Sequence, residues 1–275
     1  MNDTPPASPL ACTVSIAGIG LTLLSADAAL IDQLRRNYHA FLADGPAPFT
    51  SRVQVDRQPN APALPVTIFR AGVLHFTRPG YTGFIDLDHD TSKLAIASAQ
   101  PFEDVDYFVR AAYALLAFRA GGLLFHAAGI ARHDRGYLFF GKSGSGKTTV
   151  SRLTQGSPLH GVVLNDDLVL LLPQGGAWQL HATPFSNPTQ FAPSGPHAIR
   201  LHQMYRLVQS RRVFVEAMPR GQAIAEIVAS APIVSIDPGR AIALLSRAEQ
   251  LEQAVPVRRL HFLPDDSFWQ VISGE

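Results

Sequence analysis

The clearest chemistry in the chain lies in Gly141–Thr148, which reads Gly-Lys-Ser-Gly-Ser-Gly-Lys-Thr. The pattern is a glycine, four residues, then Gly-Lys-Thr, the arrangement in which successive backbone N–H groups converge on phosphate oxygens. Gly141, Gly144 and Gly146 let the backbone come close to a ligand, with Ser143 and Ser145 between them. Lys147 would reach the β- and γ-phosphates of a nucleotide, and the Thr148 hydroxyl stands where it can ligate Mg²⁺. Context agrees with this. Tyr137–Phe140 reads as a strand running into the loop, and the residues from Lys147 to Thr154, including Thr149, read as a helix leaving it. The start of that helix favours an anion. A serine-hydrolase elbow is excluded, because Ser145 stands where that motif needs glycine. Lysine usage points the same way. Only Lys93, Lys142 and Lys147 occur, against twenty arginines, and two of the three fall in this stretch.

Downstream, Asp166 and Asp167 sit between the apolar runs Gly161–Leu164 and Leu168–Leu172. Neighbouring residues on a strand point to different sides, so one carboxylate can hold a cation while the other faces an incoming hydroxyl. The same Asn-Asp-Asp string is also good β-turn chemistry. No Asp or Glu follows between Leu168 and Val215, whereas Arg200, Arg206, Arg211 and Arg212 fall there. These arginines suit a transferred phosphate or an acidic acceptor, and equally a solvated basic face. His126 lies in the apolar stretch Leu123–Ile130, where a lone histidine is ordinarily a core residue. Three further signals are weaker. Asp86, Asp88, His89 and Asp90 have metal-ligand types but fit a hairpin turn. The segment His181–Pro184 is a candidate lining for a base or ribose. Phe262, Phe268 and Trp269 read as packing residues.

Elements must position these groups. Thr13–Leu24 reads as one or two strands and Ala28–Asp44 as a helix. Period-two alternation from Phe49 to Ser98 predicts an antiparallel meander. Phe102–Arg119 is an expected helix ending at Gly121 and Gly122. Beyond it strands and helices alternate to the C-terminus, with helices near Gln222–Ala229 and Pro238–Gln253 and a strand at Val257–Phe262. The expected organisation is a smaller β-rich domain over residues 1–100 and an α/β P-loop domain over 101–275. The whole has 275 residues, 47% apolar and 16% charged, enough for sizeable cores. A net charge of +1 gives no global field for nucleic acid or an anionic membrane. No apolar run reaches the roughly 18 residues that span a bilayer. Cys12 is the single cysteine, which excludes an intramolecular disulfide. A cytoplasmic location is the default expectation, and homo-oligomers are compatible with the composition.

Taken together, the strings LLFHAAGI, GYLFFGKSGSGKTT, VVLNDDLVLL and HATPF resemble the catalytic domain of HPr serine kinases. More distantly they resemble ATP-dependent phosphoenolpyruvate carboxykinases, which share that P-loop fold. The closer likeness is to the HPr-kinase-related proteins of lasso-peptide and similar ribosomal-peptide biosynthesis. The resemblance covers Leu123–Pro184 well and the rest loosely. It implies an HPr kinase/phosphoenolpyruvate carboxykinase-type α/β fold and an ATP- and Mg²⁺-dependent kinase. The acceptor would be a hydroxyl, serine by preference, on a peptide or protein such as a ribosomal natural-product precursor. The family's site maps onto His126, Lys147, Thr148, Asp166 and Asp167. Asp167 is the implied base toward the hydroxyl and Asp166 the implied metal ligand with Thr148, an exchange of those two roles being open. His126 would sit near the phosphates. The acid-free span departs from the family, which carries an acidic metal ligand and a glycine signature there. This sets HPr itself and the reverse, phosphorylase reaction apart from the expectation. The alternatives are a nucleotide-hydrolysing switch or scaffold without phosphotransfer, and a carboxykinase-like enzyme acting on a small acid.

Overall fold

The computed structural model describes residues 9–56, 66–78, 80–97, 100–156, 161–185 and 195–273. Two compact units divide the chain, Met1–Ala112 and Tyr113–Glu275. The dividing line falls inside the helix Pro101–Arg119 rather than at 100/101, where the change of sequence period puts it.

In the first unit the alternating segments form β1 (Leu10–Ile16), β2 (Ile19–Ser25), β3 (Phe49–Val55), β4 (Val66–Arg70), β5 (Val73–Arg78), β6 (Tyr81–Asp86) and β7 (Thr91–Ile96). Their order in the sheet is β1-β2-β3-β7-β6-β5-β4. The expected antiparallel meander is corrected here, because β2 and β3 run parallel and so do β3 and β7. Only the run from β4 to β7 is a true meander. Helix α1 (Ala28–Asn37) is the cause for the first pair. It returns the chain to the start of the sheet so that β3 sets off in the direction of β2, and a period of two carries no information about strand direction. The Asp27 carboxylate caps α1 by accepting from the Leu30 N–H at 3.0 Å. The helix ends at Asn37, short of the expected Asp44. Tyr38 is buried there and its hydroxyl donates to Asp106 at 2.6 Å, an anchor that a continuing helix would have to break. Asp86, Asp88 and His89 do form a turn. The Asp86 carboxylate accepts from the backbone N–H groups of Asp88 and His89 and from the His89 ring.

Helix α2 (Pro101–Arg119) starts with proline and carries Glu103 and Asp104 in its first turn, both suited to a helix N-terminus. It is buried on nearly every side from Val105 to Ala117, as an apolar helix without a polar face must be.

The second unit holds eight strands among its described residues. They are β8 (Leu123–Arg132), β9 (Arg135–Phe140), β10 (Val162–Asn165), β11 (Leu168–Gln174), β12 (Ala177–His181), β13 (Ala198–Gln209), β14 (Phe214–Ala217) and β15 (Val257–Phe262). With them are α3 (Lys147–Gly156), α4 (Arg220–Ala229), α5 (Ala241–Ala254) and α6 (Phe268–Ser273). The architecture is mixed α/β, and no described helix is long and apolar enough to cross a membrane. The four residues of β14 are too few for alternation to reveal.

Strand β8 organises this unit. Along one edge it takes β9, with Ala127 opposite Phe140. Along the other it takes both β10 and β11 in one register, Asn165 opposite Gly129 and Leu168 opposite His126. What reads as two strands is therefore one strand line. Asp166 and Asp167 lie within it, just past a register shift between Val163 and Asn165. Such irregularities re-aim side chains and are frequent beside active sites. Under the sheet Phe139, Val150, Tyr205, Phe262, Phe268 and Trp269 share one core, confirming the packing role expected of the three C-terminal aromatics. The Trp269 indole N–H donates to the Thr154 hydroxyl at 3.1 Å and so ties α6 to α3.

Candidate functional site

Strand β9 ends at Phe140, and the glycine-rich loop follows it directly into α3. Gly146 has φ +109°, and a Cβ there would stand 2.4 Å from the Phe262 ring, which is itself locked in the core. Only glycine satisfies both constraints. The loop thus rests on an aromatic floor just before α3 begins. No acidic residue occupies the first turn of α3, so the N–H groups at its start face no competing carboxylate of their own helix. The Lys147 ammonium folds back over the loop and donates to the Gly141 carbonyl at 3.1 Å. Burial pulls its pKa below the usual lysine value; Arg206 adds to that, while Asp167 and Asp166 oppose it. Lys147 is thus within electrostatic reach of both aspartates. On the outer side, Gln209 holds the loop by donating to the Gly144 carbonyl at 2.8 Å. Ser143 and Gly144 are exposed, Ser145 and Thr149 half-buried.

The two aspartates have different surroundings. Asp166 is only 2% exposed and accepts a hydrogen bond from the Thr148 hydroxyl. Burial raises its pKa, and the like charge of Asp167 adds to the rise; Thr148 and Arg152 pull the other way. Its Oδ2 is buried with no hydrogen-bond partner, and so is the Ser145 hydroxyl in the loop. Asp167 is more open, with its Oδ1 3.3 Å from His126 Nε2. Register explains that pairing, since His126 lies across from Leu168 while the Ala127 N–H donates to the Asp167 carbonyl at 3.0 Å. On its other edge, the His126 N–H donates to Ser230 at the end of α4.

Asn165 holds the aspartates in place, and the sequence analysis missed that function. Its Oδ1 accepts from the N–H groups of Asp167 at 2.7 Å and Leu168 at 3.0 Å. Its Nδ2 donates to the Thr183 and Phe185 carbonyls at 3.2 and 3.0 Å. The Thr183 hydroxyl in turn donates to the Leu168 carbonyl at 2.5 Å. The segment His181–Pro184 was a candidate lining for a base or ribose; Thr183 instead braces the aspartate turn from within the core. The available signal was Asn165 itself, whose turn-forming chemistry and its presentation of the two carboxylates are complementary rather than competing.

A cleft of about 350 Å³ opens between His126 and Gly141–Ser143 on one side and α4, including Glu226, on the other. Of the four arginines in the acid-free span, Arg206 reaches the loop, whereas Arg200, Arg211 and Arg212 are exposed. Glu226 lies outside that span and nothing local in the sequence marks it.

No family model matches the chain. No curated protein matches it either. Among solved structures it is similar to the HPr(Ser) kinase/phosphatase from Coxiella burnetii, at 15% identity and a TM-score of 0.26. That match covers 47% of this chain and 89% of the other.

The oxygen atoms around Asp166 fit a divalent cation. Thr148 and Asp166 present a hydroxyl and a carboxylate side by side, and the orphaned Oδ2 is a buried acceptor in need of a positive partner. Among the described residues no cluster of three or more His, Cys, Asp or Glu side chains could hold a metal. Mg²⁺ keeps waters and substrate phosphate oxygens as ligands and does not require a protein cage.

A stability prediction follows from the sign of the Asp166 shift. A carboxyl whose pKa is raised by folding destabilises the folded state wherever it is ionised there. Its contribution is complete below the unfolded value and lost as pH climbs through the folded one. Asp166→Asn should therefore melt above the wild type near neutral pH, and the gap should close toward about pH 4. The same variant should lose Mg²⁺-dependent nucleotide binding. Thermal melts across pH, without ligand, check the first part; a variant melting below the wild type at neutral pH would refute it.

Proposed function

We propose that this protein is an ATP-dependent kinase that passes the γ-phosphoryl group to a hydroxyl, by preference a serine, on a peptide or protein. A ribosomally made precursor peptide is the acceptor class that the sequence resemblance favours. The observation that carries the reading is the sharing of work within one compact unit. A glycine loop and Lys147 form a phosphate cradle. Asp166 with Thr148 offers a buried oxygen pair for a cation. Asp167, a neighbour on the same strand line, pairs with His126 on the adjoining strand β8.

Each residue has a step. The N–H groups at the start of α3 and Lys147 hold the triphosphate tail. Mg²⁺, held by Thr148 and Asp166, would supply neutralising charge on the phosphate oxygens. Asp167 orients the acceptor hydroxyl, with His126 fixing the carboxylate. As the acceptor oxygen forms its bond to the γ-phosphorus, the bond from that phosphorus to the bridging oxygen of ADP breaks. The hydroxyl proton goes to Asp167, and ADP leaves with the bond's electrons. Since the transition state is loose, positioning and charge do most of the work.

The test is to incubate the protein with γ-labelled ATP, Mg²⁺ and serine-containing peptides, including those encoded beside its gene, and to locate the label by mass. Label on a peptide serine is expected. Phosphate released only to water would replace this reading with the nucleotide-hydrolysing switch.

A further inference from the structure

The geometry points to Arg206 as a second phosphate-contacting residue, held in place by Glu226 to grip the γ-phosphoryl group during transfer; this rests on the kinase reading above. Three observations converge on it.

Position comes first. Arg206 is the β13 residue paired with Phe140, the last residue of β9 before the loop. Its Nη1 lies 2.6 Å from where a Cβ on Gly141 would be. The guanidinium therefore fills the space that glycine leaves at the first position of the motif. Gly141 also has φ +153°, at the limit of what other residues tolerate.

Orientation is the second. The Nε donates to Glu226 Oε2 at 2.9 Å and Nη1 donates to the Leu207 carbonyl at 2.5 Å. These two bonds fix the plane of the fork, and among the described residues Nη2 makes no hydrogen bond. With Nε and Nη1 each anchored, the guanidinium is held in one plane, and the Nη2 hydrogens with the second hydrogen of Nη1 are left for an end-on, bidentate contact with phosphate oxygens. Glu226 faces the cleft from α4, directly across from the loop and His126.

The third is charge. The Arg206 guanidinium and the Lys147 ammonium both lie against Gly141, the first in the space its missing Cβ leaves and the second bonded to its carbonyl. Two cations crowd the same loop, which is unfavourable until an anion lies between them. A nucleoside triphosphate brings that anion. In a loose transition state, charge spreads over the three equatorial oxygens of the moving phosphoryl group. Arg206 offers them its remaining N–H donors and neither gains nor loses a proton. Glu226 acts through Arg206 and is a positioning residue.

Arg206→Lys keeps the charge and removes the fork. It should lower kcat for acceptor phosphorylation about 100- to 1,000-fold. It should weaken Mg²⁺·ATP binding while leaving ADP affinity within about twofold, because ADP lacks the group being gripped. Glu226→Gln should lower kcat by about tenfold with little change in acceptor KM, the signature of an interaction made in the transition state. In Arg206→Ala, added guanidinium salt should restore part of the rate, which a purely structural ion pair would not allow. Equal losses of ATP and ADP affinity in Arg206→Lys would overturn the assignment and leave a structural ion pair. So would an unchanged kcat. Should Arg206→Lys fail to fold, as judged by its melt, Glu226→Gln decides: unchanged kcat refutes the proposal. Failure of the kinase reading would appear separately, as wild-type protein that labels no peptide, and the ATP-to-ADP affinity ratio would still test the grip.

Discussion

Lys147→Ala should abolish acceptor labelling, with a rate loss of about a thousandfold or more, while the ligand-free protein melts no lower than the wild type. The two halves of this expectation have one cause. Lys147 is half-buried and its pKa is held down, first by burial and then by Arg206. Its ammonium is therefore an electrostatic burden to the empty fold, eased by Asp167 and Asp166 and by one bond to the Gly141 carbonyl. Removing it relieves that burden and gives up a single part-buried hydrogen bond, whose net worth is about 1 kcal/mol. The charge matters when a phosphate tail arrives, because the half-buried ammonium then gains an anionic partner. Lys147→Arg should fail almost as badly, although this chain uses arginine for nearly all its other cations. The planar fork is wider than an ammonium and cannot fold back within the glycine loop. Labelling with γ-labelled ATP and a thermal melt measure the two halves. Wild-type labelling by the alanine variant would end the kinase reading, and a large fall in melting temperature would mean that Lys147 is part of the scaffold.

The parts of this site legible in the sequence are those written locally. The glycine loop between a strand and a helix needs only short-range rules, so Gly141–Thr149 and its flanks fall where the motif puts them. Asp166 and Asp167 are legible for a related reason, since two adjacent carboxylates between apolar runs are costly to bury and stand out from the strands around them, although Asp166 is buried all the same. That β10 and β11 form one line along β8 was not legible. The register depends on which strand each half meets, and β8 supplies the partner from more than thirty residues upstream. Strand direction in the first sheet was hidden for the same reason, as a period of two is equal in both directions. Asn165 was visible yet assigned only to turn formation, because turn chemistry and site chemistry were weighed as rivals. Arg206 and Glu226 meet only because α4 packs beside β15, the strand paired with β13, and twenty residues of chain separate them. An acid-free span draws attention to its arginines, but only tertiary structure selects which of them reaches the loop.

The sharpest separation of binding from chemistry lies at Asp167. Asp167→Asn should reduce kcat for transfer about 100- to 10,000-fold and leave Mg²⁺·ATP affinity within about twofold. The substitution is close to isosteric, and Asn Oδ1 can still accept from His126 Nε2, which lies 3.3 Å away in the wild type. The backbone bonds that seat the residue, from its N–H to Asn165 and from the Ala127 N–H to its carbonyl, do not involve the side chain. What disappears is the capacity to take a proton from the acceptor hydroxyl as the new bond to phosphorus forms. Asp166→Asn should behave in the opposite way, because Asp166 is buried against Thr148 and its loss removes an oxygen from the cation site. Nucleotide affinity measured with and without Mg²⁺, set beside single-turnover transfer at saturating ATP, distinguishes the two variants. If Asp167→Asn binds Mg²⁺·ATP far more weakly yet transfers normally once saturated, the roles of the two carboxylates are exchanged, and the residue facing His126 is the one that serves the metal.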